Sequence, residues 1–206
     1  MSEPRVAIAM PWGPWLPGPA VASFVRLVST TLLRGQLLDV FMCGHNLLST
    51  AREQLVEDAL KAGASHLLFV DSDMVVPPDL VSRLLKHAKP VVSALYYMRQ
   101  PPYGPVACEQ PMAKWTPISH ELAGGKGLLK VWCVGFGACL INAHVLRALR
   151  GSRGDPMFDF YGREGEDIFF ARRCQEAGIG VWLDRDTVCG HVSAIVVDQD
   201  TAGRFA

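Results

Sequence analysis

The sequence predicts an α/β fold, a single domain over 1–206 with a mainly parallel central sheet flanked by helices. Three observations predict it. Strand-like and helix-like segments alternate through the first half of the chain, the order that builds a parallel sheet through right-handed crossovers. The third strand signal, HLLFVD (66–71), is apolar almost without a break, as a strand covered on both faces must be. The breaks between segments carry glycine or proline, and no composition shift separates a second domain.

Taken in order, RVAIAM (5–10) is a short β-rich run stopped by PWGPWLPGP. AVASFVRLVSTTLLR (20–34) has helical apolar spacing and ends at Gly35. LLDVFMCG (37–44) reads as a second strand. LLSTAREQLVEDALKAG (47–63) is the clearest helix, with Ser49 or Thr50 as cap, Glu53 at capping-box spacing and Gly63 past its end. After 66–71 come a helix opened by prolines, PPDLVSRLLKHA (77–88), and a fourth strand, PVVSALYY (90–97). Beyond residue 98 the chain turns irregular and proline-rich. GGKGLLKVWCVGFGACLINAHVLRAL then suggests a strand or hairpin and a short helix, and 151–165 a loop. GEDIFFARRCQEAG (165–178) is a helix, and IGVWLD (179–184) a last strand.

Half of the 206 residues are hydrophobic, ample for one core. Lys+Arg and Asp+Glu both number 20, a balance that argues against a protein held on nucleic acid by phosphate contacts. No apolar run approaches the ~18–20 residues of a membrane-spanning helix, and the start MSEPRVAIAM lacks the basic-then-apolar pattern of a secretion signal. Six cysteines without a CxxC pair read as reduced, mostly buried thiols. A cytoplasmic protein is expected.

Three short motifs carry chemistry. In FVDSDMVVPPDL, Asp71 and Asp73 follow the third strand, where ligands gather in open parallel sheets. Two carboxylates so close repel each other unless a hard cation or hydrogen bonds compensate. Were the chain extended they would face one side and share a divalent ion; in a turn they would cap the following helix. Glu166 and Asp167 occupy the first turn of a helix, a place that favours carboxylates in any case. His191 follows the last strand in CGH, and an isolated histidine there is more often structural than a ligand. Other suggestive patterns fail. AGGKG (123–127) lacks the spacer and the Ser/Thr of a phosphate loop. VGFG (134–137) is not a dinucleotide fingerprint, and Cys189 has no partner cysteine at zinc spacing.

The order of these features, from DSD through VGFGACLINAHVL and GED to the late GH, resembles the GT-A (Rossmann-like) glycosyltransferases, with family 2-like members most similar. The resemblance spans about residues 5–192. It implies a metal-dependent enzyme, cofactor Mn2+ or Mg2+, transferring a single sugar from a UDP- or GDP-sugar. A nucleotide-binding half over about 1–98 would precede an acceptor half over about 99–192. By this resemblance Asp73 and His191 hold the metal, and Asp71 binds the ribose or the metal's outer shell. Pro11, Trp12, Arg52, Ser72, Gly135 and Gly137 would contact the donor. Asp167 would take the acceptor's proton, and Glu166 would position it or the acceptor. The chain departs from the pattern in lacking an acidic residue at the end of the second strand; Asp39 lies at its start. Arg99, Tyr103, Lys114, Lys126, Arg153, Tyr161 and Arg163 line the expected acceptor walls, which leaves a glycan, a protein or modified nucleic acid open as acceptor. Trp12 or Trp115 could stack on a base or sugar. The alternatives are a sugar-phosphate nucleotidyltransferase, whose basic N-terminal loop is missing, and a non-catalytic nucleotide-sugar-binding module.

Overall fold

The computed structural model describes residues 3–13, 15–44, 47–110, 117–151, 154–160, 164–193, 196–197 and 199. Along the chain run β1 (Val6–Trp12), α1 (Gly18–Leu33), β2 (Leu37–Gly44), α2 (Leu48–Lys61), β3 (His66–Val70) and β4 (Met74–Val75). Then come α3 (Leu80–Leu85), β5 (Val91–Leu95), β6 (Ala107–Cys108), α4 (His120–Ala123), β7 (Leu128–Val131) and β8 (Cys133–Val134). The rest comprises β9 (Ala138–Asn142), α5 (Ala143–Arg150), α6 (Glu166–Glu176), β10 (Val181–Val188), β11 (Gly190–Val192) and β12 (Val196–Val197).

Seven strands form the central sheet in the order β2-β1-β3-β9-β5-β10-β7. β9 runs antiparallel to both β3 and β5, and β7 antiparallel to β10. The remaining strands run one way, so the sheet is mostly parallel. Alternation along the buried strands divides the core between two faces. Ala7, Phe69 and Ile141 face one side, packed with Leu55 of α2, Leu146 of α5 and Phe170 of α6. Val6, Ile8, Leu68 and Leu140 face the other, packed with Leu27 of α1 and Leu84 of α3. The mixed α/β layering is that of a Rossmann-like domain. Because β9 lies between β3 and β5, the two halves expected at residue 98 share one sheet.

Several boundaries differ from the sequence expectation for identifiable reasons. β1 continues through Pro11 and Trp12 because its pairing with β3 ends at Ala9↔Phe69, while that with β2 runs on to Trp12↔Gly44. Past Ala9 the strand has a free edge, where a proline costs no ladder bond. The N-cap of α2 is Leu47, with no side-chain cap, and Ser49 and Thr50 lie inside the helix. Glu53 is not half of a capping box; its carboxylate accepts from the N–H groups of Met157 and Phe158 and pins the loop ahead of α6. Helix α3 is shorter than 77–88 and starts after Asp79, which has no capping bond and pairs with Arg83 at 2.7 Å. Strand β10 runs on past residue 184 and is not the last: β11 and β12 follow. Together with β4 they form a separate three-stranded sheet, order β12-β11-β4, which the sequence reading missed because β4 is two residues long.

Candidate active site

The DSD leaves β3 in a turn, with the Met74 N–H donating to the Asp71 carbonyl at 3.1 Å. The chain there is not extended, and the two carboxylates take different partners, Asp71 on Arg52 and Asp73 on Arg99. Neither caps α3, which removes the capping explanation. The turn feeds β4, whose antiparallel register with β11 sets His191 opposite Met74. The Val192 N–H donates to the Asp73 carbonyl at 2.8 Å and closes the ladder beside the turn. Two segments far apart in sequence thus meet beyond the carboxyl ends of β3 and β5, the crevice where open α/β sheets bind ligands.

Asp73 Oδ2 lies 3.5 Å from His191 Nε2 and 2.7 Å from Arg99 Nη1. His191 Nδ1 is 2.8 Å from the Tyr97 carbonyl oxygen. A carbonyl can only accept, so Nδ1 carries the proton, and in the neutral ring Nε2 turns its lone pair toward Asp73. A carboxylate and an imidazole lone pair facing one another, with the far ring nitrogen held by a backbone carbonyl, could hold a divalent cation. Burial pushes the Asp73 carboxyl up, but the hydrogen bond and charge that His191 offers in its protonated form, with the charge of Arg99, outweigh it and hold it below the ordinary carboxylate value; the lone-pair arrangement belongs to the neutral ring. Among the described residues no group of three or more His, Cys, Asp and Glu gathers closely enough to hold a metal by itself. The two side chains that could hold an ion are Asp73 and His191, which would leave its other positions to phosphate oxygens or water.

Arg52 ties this motif to the second acidic pair. Its Nη2 donates to Asp71 Oδ1 at 2.9 Å and its Nε to Glu166 Oε1 at 3.2 Å. The guanidinium carbon lies 5.0 Å from the Phe69 ring centre and 5.2 Å from that of Phe136, within cation–π range. Burial opposes its charge, but Asp71 and Glu166 outweigh burial and raise its pKa. Arg52 is 1% exposed, and its Nη1 is buried without a hydrogen-bond partner among the described residues. The residue expected beside base and phosphates is thus a buried clamp between the two acidic motifs, and Glu166 is committed to it. Asp167, the next residue, points elsewhere: its Oδ1 accepts from the Ile168 N–H at 2.8 Å. Burial, then the charge of Glu166, push its carboxyl up to about 6. A carboxylate poised there is suited to take a proton near neutral pH.

Gly135 and Gly137 act through Tyr96. A Cβ on Gly135 would stand 2.1 Å from Tyr96 Oη and 2.7 Å from Val106. A Cβ on Gly137 would stand 2.9 Å from Cζ of the same ring. Tyr96 Oη accepts the Gly137 N–H at 3.1 Å, and the Gly137 carbonyl accepts from the Asp71 N–H at 3.2 Å. The two glycines let this aromatic ring lie against the strand that holds the DSD turn. Tyr96 itself lines a cleft of about 390 Å³ with Asp71, Met98, Arg99 and His191. A second cleft of about 200 Å³, between Pro11, Leu48, Asp71, Ser72, Asp73 and Arg99, shares Asp71 and Arg99 with it. Trp12 is 39% exposed at the end of β1, with its ring 3.4 Å from where a Gly44 Cβ would be. Asp39, at the other end of β2, is exposed and accepts from the Val40 N–H. Lys114, Trp115, Arg153, Tyr161 and Arg163 lie outside the described residues.

Sequence reasoning did not assign a role at this site to Tyr96, Tyr97 or Glu53. Tyr97 contributes only a backbone carbonyl, which leaves no trace in a sequence; the glycines of VGFG were the available signal for Tyr96.

No protein-family profile matches the chain, and no curated protein matches its sequence. Among solved structures it is similar to A197 from STIV, with a TM-score of 0.65 at 17% identity, covering 96% of this chain and 91% of that one. That likeness establishes the fold: a Rossmann-like α/β domain. Among the described residues no helix is long and apolar enough to cross a membrane.

Proposed function

We propose that the protein is a metal-dependent glycosyltransferase that moves a single sugar from a nucleotide-sugar donor to an acceptor hydroxyl. The observation that carries this reading is the Asp73–His191 pair, whose Oδ2 and Nε2 face one another at 3.5 Å while Nδ1 is held by Tyr97. Charge supports it. The carboxylates of Asp71 and Asp73 line the smaller cleft against the single guanidinium group of Arg99, and Glu166 is joined to Asp71 through Arg52. An excess of negative charge in a half-buried crevice calls for a cation. A bound Mn2+ or Mg2+ would supply charge neutralisation for a leaving diphosphate. Asp73 and His191 would hold it, Asp71 would stay on Arg52 and present its second oxygen to the nucleotide, and Asp167 would accept the proton of the acceptor hydroxyl. Pro11 and Ser72 line the smaller cleft, where the nucleotide would lie, and Trp12, next in the chain to Pro11, is part-exposed.

Incubation with UDP- and GDP-sugars and Mn2+, read by mass spectrometry, tests the activity. Slow donor hydrolysis is expected from the wild type and none from Asp73→Ala. Binding without hydrolysis or transfer of any donor would instead make this a nucleotide-sugar-binding module.

A further inference from the structure

Arg99 occupies the place where the reading above puts an ion. Its Nη1 is 2.7 Å from Asp73 Oδ2, the same oxygen that faces His191 Nε2. Its side chain is 49% exposed, whereas those of Asp73 and His191 are each 15% exposed. Among the described residues, Arg99 and Asp71 border both clefts. It rides on a short flap closed on itself: Tyr97 bridges Pro105, the Met98 N–H donates to the Gly104 carbonyl at 2.9 Å, and the Tyr103 N–H to Gln100 at 2.9 Å. The base of the flap is Tyr97, whose carbonyl holds His191. An ion on Asp73 and a guanidinium hydrogen-bonded to the same oxygen repel each other and compete for one lone-pair region. Arg99 is the partner free to leave, because half of its side chain is exposed and Asp73 is the ion-pair partner it has among the described residues. A planar guanidinium released at the mouth of the cleft is matched to phosphate oxygens, which it binds in bidentate fashion.

We propose that Arg99 is an exchangeable cation: it neutralises Asp73 in the free protein and moves to the donor diphosphate when a divalent ion takes its place on that oxygen. The inference rests on the donor reading above. Its consequence is thermodynamic coupling, since diphosphate draws Arg99 away and frees Asp73 for the ion, and the ion reciprocally frees Arg99 for diphosphate. Without Arg99, the ion no longer competes with an ion pair, and nucleotide can no longer help it by removing one. The two effects have a single origin and must be equal in size.

Mn2+ binding, followed by electron paramagnetic resonance with and without saturating UDP or GDP, tests this in the wild type and in Arg99→Gln. The replacement lies on an exposed flap and leaves the core untouched. Mn2+ alone is expected to bind Arg99→Gln about two- to fivefold more tightly than wild type, the range of a partly solvated ion pair. The enhancement of Mn2+ affinity by nucleotide is expected to shrink by that same factor. If it is unchanged while Mn2+ alone binds more tightly, Arg99 acts only through the general field and the exchange is overturned. Equal Mn2+ affinity in both proteins also overturns it. A wild type whose Mn2+ affinity neither nucleotide raises overturns the donor reading itself, and the exchange with it.

Discussion

Asp167→Asn isolates the energetic cost of a base held ready. Burial and Glu166 raise the Asp167 carboxyl from an ordinary 3.8 to about 6. A shift of about two units corresponds to ~3 kcal/mol at most, and to about 2 kcal/mol once the partly accessible carboxylate is discounted for solvent screening. The sign follows from proton uptake. Between pH 3.8 and about 6 the folded chain holds a proton that the unfolded chain has lost, so stability falls as pH rises through that window and stays low above it. Asparagine has no proton to lose, and its amide oxygen can keep the bond from the Ile168 N–H that Asp167 Oδ1 now accepts. Urea denaturation of both proteins at several pH values from 4 to 8 should show Asp167→Asn gaining stability over wild type as pH rises, by about 2 kcal/mol in all. The gain should level off above pH 7, while sugar transfer is lost. A stability difference that does not vary with pH, or an asparagine variant less stable at pH 8 than at pH 4 relative to wild type, would refute the reasoning.

Arg52→Met leaves Asp71 and Glu166 without their shared cation and is expected to cost about 3–5 kcal/mol in urea denaturation; adding Glu166→Gln should recover part of that loss. Gly135→Ala drives a Cβ against Tyr96 Oη, and overpacking of this kind costs about 1–3 kcal/mol. Tyr96→Phe removes the hydroxyl, so the double variant should be more stable than the sum of the single effects predicts; strict additivity would show that Tyr96 is not what requires the glycine. Glu53→Ala deprives the Met157 and Phe158 N–H groups of their acceptor, and limited proteolysis should then cut near 154–160 at lower protease concentrations.

The fold was legible where local pattern and packing agree. The apolar run of β3 announced burial on both faces, and the apolar spacing of α1 and α2 placed their helices to within a turn. The place of β9 was not legible: nothing in ACLIN distinguishes a strand that enters the sheet antiparallel between β3 and β5 from one at an edge. The site divides in the same way. Asp71, Asp73 and His191 were singled out because charges and an imidazole at strand ends stand out, and the fold brings them to neighbouring clefts. The resemblance already implied different roles for the two aspartates; what stayed hidden was their geometry, because it depends on a turn at 71–74 and on a two-residue strand with no propensity signal of its own. Arg52 illustrates the limit most clearly. An arginine in a helix reads as surface, and only the convergence of Asp71, Glu166, Phe69 and Phe136 makes its burial tolerable.

The central claim is that Asp73 and His191 hold a divalent ion for a nucleotide diphosphate, and calorimetric titration of UDP and GDP with and without Mn2+ tests it most directly. The account predicts that at least one nucleotide binds only with Mn2+ present, and that Asp73→Ala weakens this binding by about tenfold or more, the loss expected for a charged ligand–ion contact. Nucleotide binding that ignores Mn2+, or an Asp73→Ala protein that binds Mn2+ and nucleotide as well as wild type, would contradict it.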